Sequence, residues 1–255
     1  MIPLGAARER STGRYTCEDY ELSFAPSLSA LRVTRDQAHK SGAKGAGRRS
    51  RLLSVAYPGI PHTEDYLSGV MGEAEIIGRY FDEVTPLHDD AATPAAVIEL
   101  ARGQDVVYFG CHGLFDPDAP SESGLMLSGG WLTVQRIVAE FRLDQAYLVT
   151  AAACQSGQME VRQGEEHVGL LQALMTAGVR SVAAGLWKVD DVATRALFGA
   201  FYTGVAASCP PARALADAAR CVRERPGWEH PYYWAAFQMS GLPQDLGEAS
   251  RVVES

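Results

Sequence analysis

Apolar residues along the chain follow two rhythms. The runs at 52–57, 105–110, 147–150 and 181–187 are apolar and β-prone, without polar alternation. That pattern predicts strands covered on both faces. Between them, apolar positions recur at helical spacing. The window 71–81 places Ala74, Ile77 and Phe81 on one side. Thr93 and Pro94 open a helix that runs to Ala101, with threonine as cap and proline in the first turn. Thr133 caps a helix to about Phe141, and 168–177 is a helix closed by Gly178. Helices follow at 191–205 and 211–223, the second with proline near its start. A short strand is expected at 83–87, a small hairpin at 125–127 and 131–132, and a last strand at 232–239. Strand and helix alternate, which predicts an α/β fold with a mostly parallel sheet and helices on both faces.

The pattern also divides the chain. Residues 1–50 read as an N-terminal extension: a polar start, a short strand at 20–24, a helical turn capped by Ser27, and a small, basic, glycine-rich surface loop at 40–50. That loop lacks the closing Gly-Lys-Ser/Thr of a phosphate loop, and no strand precedes it. Residues 51–245 form the core, and 246–255 a C-terminal tail.

Composition narrows the class. Of 255 residues, 47% are hydrophobic and 21% charged, ordinary values for a globular domain with a sizeable core. The net charge of −8 argues against nucleic acid as a partner, because phosphate binding needs a basic surface. No apolar stretch approaches the ~18 residues of a membrane span, and no signal peptide is evident. The five cysteines, Cys17, Cys111, Cys154, Cys209 and Cys221, are scattered. They form no Cys-x-x-Cys pair and no zinc-finger spacing with histidine. Free thiols in a reducing, cytoplasmic compartment are the expectation, with no metal and no organic cofactor.

Two strands end in reactive side chains. The run at 147–150 leads through Ala151, Ala152 and Ala153 to Cys154, then Gln155, Ser156 and Gly157. The run at 105–110 leads to Cys111, His112 and Gly113. In an open α/β sheet, ligands bind outside the carboxyl ends of the strands. If the two strands are parallel neighbours, His112 and Cys154 emerge at one edge, where a thiol and an imidazole can act as nucleophile and acid/base partner. The N–H groups of Gly113 and Cys154 are candidate oxyanion donors. Both side chains also have plainer readings. Cys154 is then a small buried hydrophobe, and His112 a strand-end histidine satisfied by a backbone carbonyl. Cys111 precedes His112 within the strand, so it points to the opposite face and belongs to the core. Asp190 and Asp191 lie at a third strand end. Either can line a pocket that selects lysine or arginine, or cap the helix that follows. Glu165 and Glu166 read as helix-dipole partners and His167 as a surface residue. Ser156 has no second histidine placed to activate it.

In order along the chain, seven short stretches together resemble the CHAT domain, a family of the caspase-like clan of cysteine peptidases. They are Phe24-Ala-Pro-Ser-Leu-Ser-Ala-Leu31, Asp105-Val-Val-Tyr-Phe-Gly-Cys-His-Gly113, Ser123-Gly-Leu-Met-Leu127, Ala152-Ala-Cys-Gln-Ser-Gly157, Gly169-Leu-Leu-Gln-Ala-Leu-Met-Thr-Ala-Gly178, Ser181-Val-Ala-Ala-Gly-Leu-Trp-Lys-Val-Asp-Asp191 and His230-Pro-Tyr-Tyr-Trp-Ala-Ala-Phe237. The resemblance implies a three-layer α/β/α sandwich of the kind found in caspases, separases and gingipains. It carries the catalytic histidine onto His112 and the nucleophile onto Cys154. In this wider group the histidine can polarise the scissile amide and protonate the leaving amine without touching the thiol, so no third member is required. The chain departs from the pattern at Tyr108, where many relatives have another histidine, and in a shortened region between Pro3 and Tyr20.

The function so implied is a cysteine endopeptidase acting on protein or peptide substrates, in regulated proteolysis or bacterial defence. The tetratricopeptide repeats that often precede the domain in the family are absent from this sequence, so either the chain acts alone or a separate repeat-containing or regulatory partner supplies target recognition. A silent protein-interaction module with the same fold is the alternative, and a small-molecule α/β enzyme is the third reading. The absence of a phosphate-loop or dinucleotide fingerprint weighs against the third.

Overall fold

In the computed structural model, residues 3–40, 51–114, 116, 118–152, 166–187 and 190–242 are described. The chain opens with a helical turn, α1 (Thr16–Asp19), and a helix, α2 (Leu28–Lys40). Then follow β1 (Arg51–Ala56), α3 (Val70–Gly78), β2 (Glu83–His88), α4 (Pro94–Leu100) and β3 (Val106–Gly110). A small antiparallel unit comes next, β4 (Gly113–Leu114), β5 (Gly124–Leu127) and β6 (Gly130–Thr133). The remaining elements are α5 (Val134–Glu140), β7 (Leu148–Ala151), α6 (Glu166–Thr176), β8 (Ser181–Gly185), α7 (Asp191–Ala206), α8 (Pro211–Arg223), α9 (Pro231–Trp234) and β9 (Phe237–Gly241).

The apolar runs become a six-stranded sheet in the order β2-β1-β3-β7-β8-β9, parallel except for β9. Alternation along each run sorts side chains into two cores. Leu52, Val106, Tyr108 and Leu148 join residues of α3, α7 and α8 on one face. Leu53, Val107, Phe109 and Val149 join residues of α4, α5 and α6 on the other. This is why the strands read as unbroken apolar runs: both faces are covered. The three-layer α/β/α arrangement expected from the resemblance is therefore the one observed.

Caps set the helix starts. Thr93 and Thr133 accept backbone N–H groups from Ala96 and Arg136, each at 3.2 Å. Ser27 accepts from Ala30 at 3.1 Å, and the helix it opens is 13 residues long rather than a single turn. At Gly178, φ is +117° and a side chain would meet the backbone of Asp144 at 3.1 Å, so glycine closes α6.

Two strand expectations need correction. Residues 231–234 form a helical turn, because Pro231 pre-sets its first residue and His230 Nδ1 accepts from the Tyr232 N–H at 3.2 Å. The strand begins only at Phe237, where β8 offers an antiparallel partner. Of 20–24, only Phe24 pairs, bridging to Ser240 on the outer edge of β9, with Phe24 N donating to Met239 O at 3.0 Å. The N-terminal segment is held there by Tyr15 edge-on to Trp234 (4.9 Å between centroids) and by Glu18 paired with Arg223 at 2.8 Å.

Candidate active site

The carboxyl ends of β1, β3, β7 and β8 come together. Phe109 is in register with Val55 and Ala151, and Ala151 with Ala184. Strand order reverses between β1 and β3: the chain first steps outward from β1 to β2, then crosses back to β3 on the other side. A crevice outside the strand ends at such a point is where an α/β sheet accepts ligands. His112 follows β3, and the segment 58–69 follows β1, so both sit at this switch.

His112 is held from two sides. Its carbonyl accepts from Met126 N at 2.8 Å, which ties its backbone to β5. Its ring is 5% exposed, and Nε2 lies 2.5 Å from the carbonyl oxygen of Asp65. A carbonyl oxygen only accepts, so Nε2 carries the proton and donates. Nδ1 is then the ring nitrogen that takes up and releases a proton in the neutral imidazole. Gly59, at φ +95°, sits against the same edge of the ring; a β-carbon there would lie 3.5 Å from Nε2. The 58–69 segment closes on itself through Leu67 N donating to Pro58 O at 2.9 Å.

Cys111 faces the other way, fully buried beside Phe109 in the opposite core. Burial pushes its thiol up to about 12, so it has essentially no thiolate at neutral pH. Gly113 opens β4 and pairs with Leu125. The described chain from β7 continues to Ala152, whose N–H still bonds to Phe109 O at 2.9 Å, two residues before Cys154. Cys154, Ser156 and Glu165 lie outside the described residues, as do the side chains of Glu166 and His167, the loop at 41–50 and the tail at 246–255.

Asp190 is the cap of α7: its Oδ1 accepts from Val192 N and Ala193 N, both at 3.0 Å. Asp191 is the first residue of α7, exposed, and lies against Gly69 at the start of α3; a β-carbon on Gly69 would come within 3.2 Å of Oδ2. The 58–69 segment thus touches His112 through Gly59 and Asp65, and Asp191 through Gly69. Trp187, at the end of β8, donates from Nε1 to Tyr232 O at 3.2 Å.

Two groups at this edge escaped sequence reasoning. The Asp65 carbonyl is backbone and leaves no side-chain signal. Glu73 had one: it stands four residues before Ile77, on the helix face that carries Ala74 and Ile77 inward. In the structure Glu73 is 5% exposed, and its Oε2 accepts from the Tyr108 hydroxyl at 2.9 Å. Among the described residues, no three His, Cys, Asp or Glu side chains are grouped to hold a metal ion, and no helix is long and apolar enough to cross a membrane.

Known proteins share this architecture. The Arg-specific cysteine proteinase gingipain R superposes over 84% of this chain and 51% of its own, with a TM-score of 0.60 and 14% identity. The complex of the Porphyromonas gingivalis RgpB pro- and mature domains gives 0.57 at 12% identity, covering 84% and 52%. At such identities the likeness concerns the fold. Among sequences, human tetratricopeptide repeat protein 28 is 23% identical over an alignment of 294 positions, covering 99% of this chain but 12% of that protein. Its mouse counterpart is 28% identical over 86, covering 34% and 4%. The chain therefore spans only about one eighth of the length of the human relative. The CHAT domain family matches residues 1–242, nearly the whole chain, so this chain belongs to the CHAT domain family.

Proposed function

We propose that the chain is a caspase-like cysteine endopeptidase in which Cys154 is the nucleophile and His112 the acid/base. The observation that carries this reading is the placement of His112 at the sheet's switch point, its Nε2–H held by the Asp65 carbonyl, beside the strand that leads to Cys154. The Cys154 thiol gives its proton to His112 Nδ1, and the sulfur attacks the scissile carbonyl carbon. The N–H groups of Gly113 and Cys154 hold the oxyanion. The tetrahedral adduct collapses, the C–N bond breaks, and the imidazolium protonates the leaving amine. A water molecule, deprotonated by His112, then cleaves the thioester and restores the thiol.

Asp190 and Asp191, which follow β8 at the start of α7, are the proposed contacts for a substrate side chain. Asp190 spends one oxygen on the α7 cap, so Asp191 is the freer candidate for a basic residue on the substrate. Protein or peptide substrates in the cytoplasm, regulated proteolysis of the kind seen in bacterial defence, and a repeat-containing partner complete the reading. The partner is supported by the kinship with a tetratricopeptide repeat protein.

One observation favours a second reading, a silent interaction module. A histidine 5% exposed and bonded to a backbone carbonyl is also what a purely structural residue looks like. A mixed fluorogenic peptide library, tested on the wild type beside Cys154→Ala, separates the two. Cleavage by the wild type alone is expected. Equal cleavage by both refutes the role of Cys154. No cleavage together with a thiol inert to electrophilic peptides supports the module.

A further inference from the structure

Tyr108 and Gly110 are alternate residues of β3 and share the α3/α7 face, while Phe109 and Cys111 face the other core; His112 follows just past the strand's end. The Tyr108 ring leans toward the reactive edge. Its hydroxyl lies so close under Gly110 that a β-carbon there would be 2.5 Å from it, and 2.9 Å from Val70 Cγ1. The carboxyl of Glu73 is bonded to that hydroxyl. It therefore lies beside Gly110, two residues before His112 in the chain.

We propose that Glu73 is a positioning residue for the His112 imidazole, an ionisable group buried beneath the reactive edge whose negative charge stabilises the imidazolium. The inference rests on the acid/base role proposed for His112. The groups that face Glu73 are the Tyr108 hydroxyl from β3 and, from α7, Asp191 and Arg195 with opposite charges. The Asp65 carbonyl faces His112 from the segment leading into α3.

The energetics favour coupling in the physiological range. Burial pushes the Glu73 carboxyl up to about 7; the Tyr108 hydrogen bond and Arg195 pull it down, while Asp191 adds to the rise. A group that changes charge there, within electrostatic range of an imidazole, makes the two titrate as a pair. Two residues of chain add at most about 7 Å to the reach from Glu73 to Gly110, and two unit charges about 14 Å apart, at an effective dielectric near 20, are worth roughly one pH unit of mutual shift. Ionised Glu73 raises the pH at which His112 loses its proton, so the leaving-group acid stays available at higher pH. Glutamine cannot supply this charge, yet it keeps the shape and an acceptor for Tyr108.

The test is an NMR titration of the full chain. It follows the His112 ring Cε1–H signal and the Glu73 carboxyl carbon in wild type, Glu73→Gln and Tyr108→Phe. In wild type, the His112 curve should carry a second inflection at the Glu73 midpoint. In Glu73→Gln that inflection should vanish, and the His112 midpoint should fall by about one unit. In Tyr108→Phe, loss of the donor should move the Glu73 step to higher pH. A His112 midpoint equal within about 0.2 units in wild type and Glu73→Gln overturns the inference. Should that variant not fold, a one-step His112 curve in wild type, while Glu73 titrates, overturns it equally. The readout needs no catalysis, so loss of the coupling and loss of the peptidase reading are separately visible.

Discussion

Asp190 offers the sharpest division between scaffold and pocket. Its carboxylate accepts two backbone N–H groups at the start of α7. Replacing it with alanine removes the cap, which costs about 1 kcal/mol (roughly 0.5–2), and the negative charge at the helix N-terminus, about 0.3–1 kcal/mol more. A destabilisation of 1 kcal/mol lowers Tm by about 2–4 °C in a domain of roughly this size, so Asp190→Ala should melt about 3–8 °C below wild type. Asparagine is as good a cap and lacks only the charge, so Asp190→Asn should lose about 1–3 °C. Differential scanning calorimetry of the three proteins tests the stability argument, and the fluorogenic library tests the pocket. If Asp190 only caps, Asp190→Asn cleaves with the substrate preference of wild type. If it also reads a basic side chain, that preference disappears while the Tm stays near wild type. A Tm for Asp190→Ala within about 1 °C of wild type would refute the capping argument, and so would equal losses for alanine and asparagine.

Gly110→Ala forces a β-carbon to 2.5 Å from the Tyr108 hydroxyl and 2.9 Å from Val70 Cγ1. It should cost about 1–3 kcal/mol by urea unfolding. Adding Tyr108→Phe removes the nearest atom and should recover part of that loss; full additivity of the two costs would contradict the packing described. The Glu18–Arg223 pair, which staples the N-terminal segment to α8, gives a pH dependence. The Arg223 hydrogen bond, with help from the Tyr15 backbone N–H, lowers the Glu18 carboxyl from an ordinary 4.5 to about 2. Its contribution is therefore complete above about 4.5 and is lost as the pH falls toward 2. The pair is partly exposed, so it contributes at most about 1 kcal/mol. Fluorescence of Trp234, against which Tyr15 packs, should show a loosening step between about pH 4.5 and 2 in wild type that is absent from Glu18→Gln, already loosened at neutral pH. Identical acid profiles would contradict the staple.

Much of the element inventory is legible because it depends on neighbours in sequence. Thr93, Thr133 and Asp190 cap helices within three residues of themselves, and Gly178 ends one. The unbroken apolar runs announce strands covered on both faces. The exceptions are also local in cause. The segment 231–234 contains aromatic, β-prone residues, yet Pro231 and the His230 ring turn it into a helix. Pairing with Ser240 is available to the N-terminal segment only at Phe24, so the strand expected at 20–24 shrinks to one bridge.

The sequence by itself therefore determined most of the strands and helices, that the sheet is mostly parallel, and that His112, Asp190 and Asp191 follow strand ends. Tertiary structure alone decided the order β2-β1-β3-β7-β8-β9, and with it the reversal between β1 and β3. It also decided that a backbone carbonyl 47 residues away sets the His112 tautomer. The buried pairing of Glu73 with Tyr108 across 35 residues is of the same kind. The physical reason is the range of the forces. Propensity, periodicity and caps act within a turn or two of the chain. Strand order and buried polar partners instead arise when separate segments must bury apolar faces together and satisfy every polar group left inside.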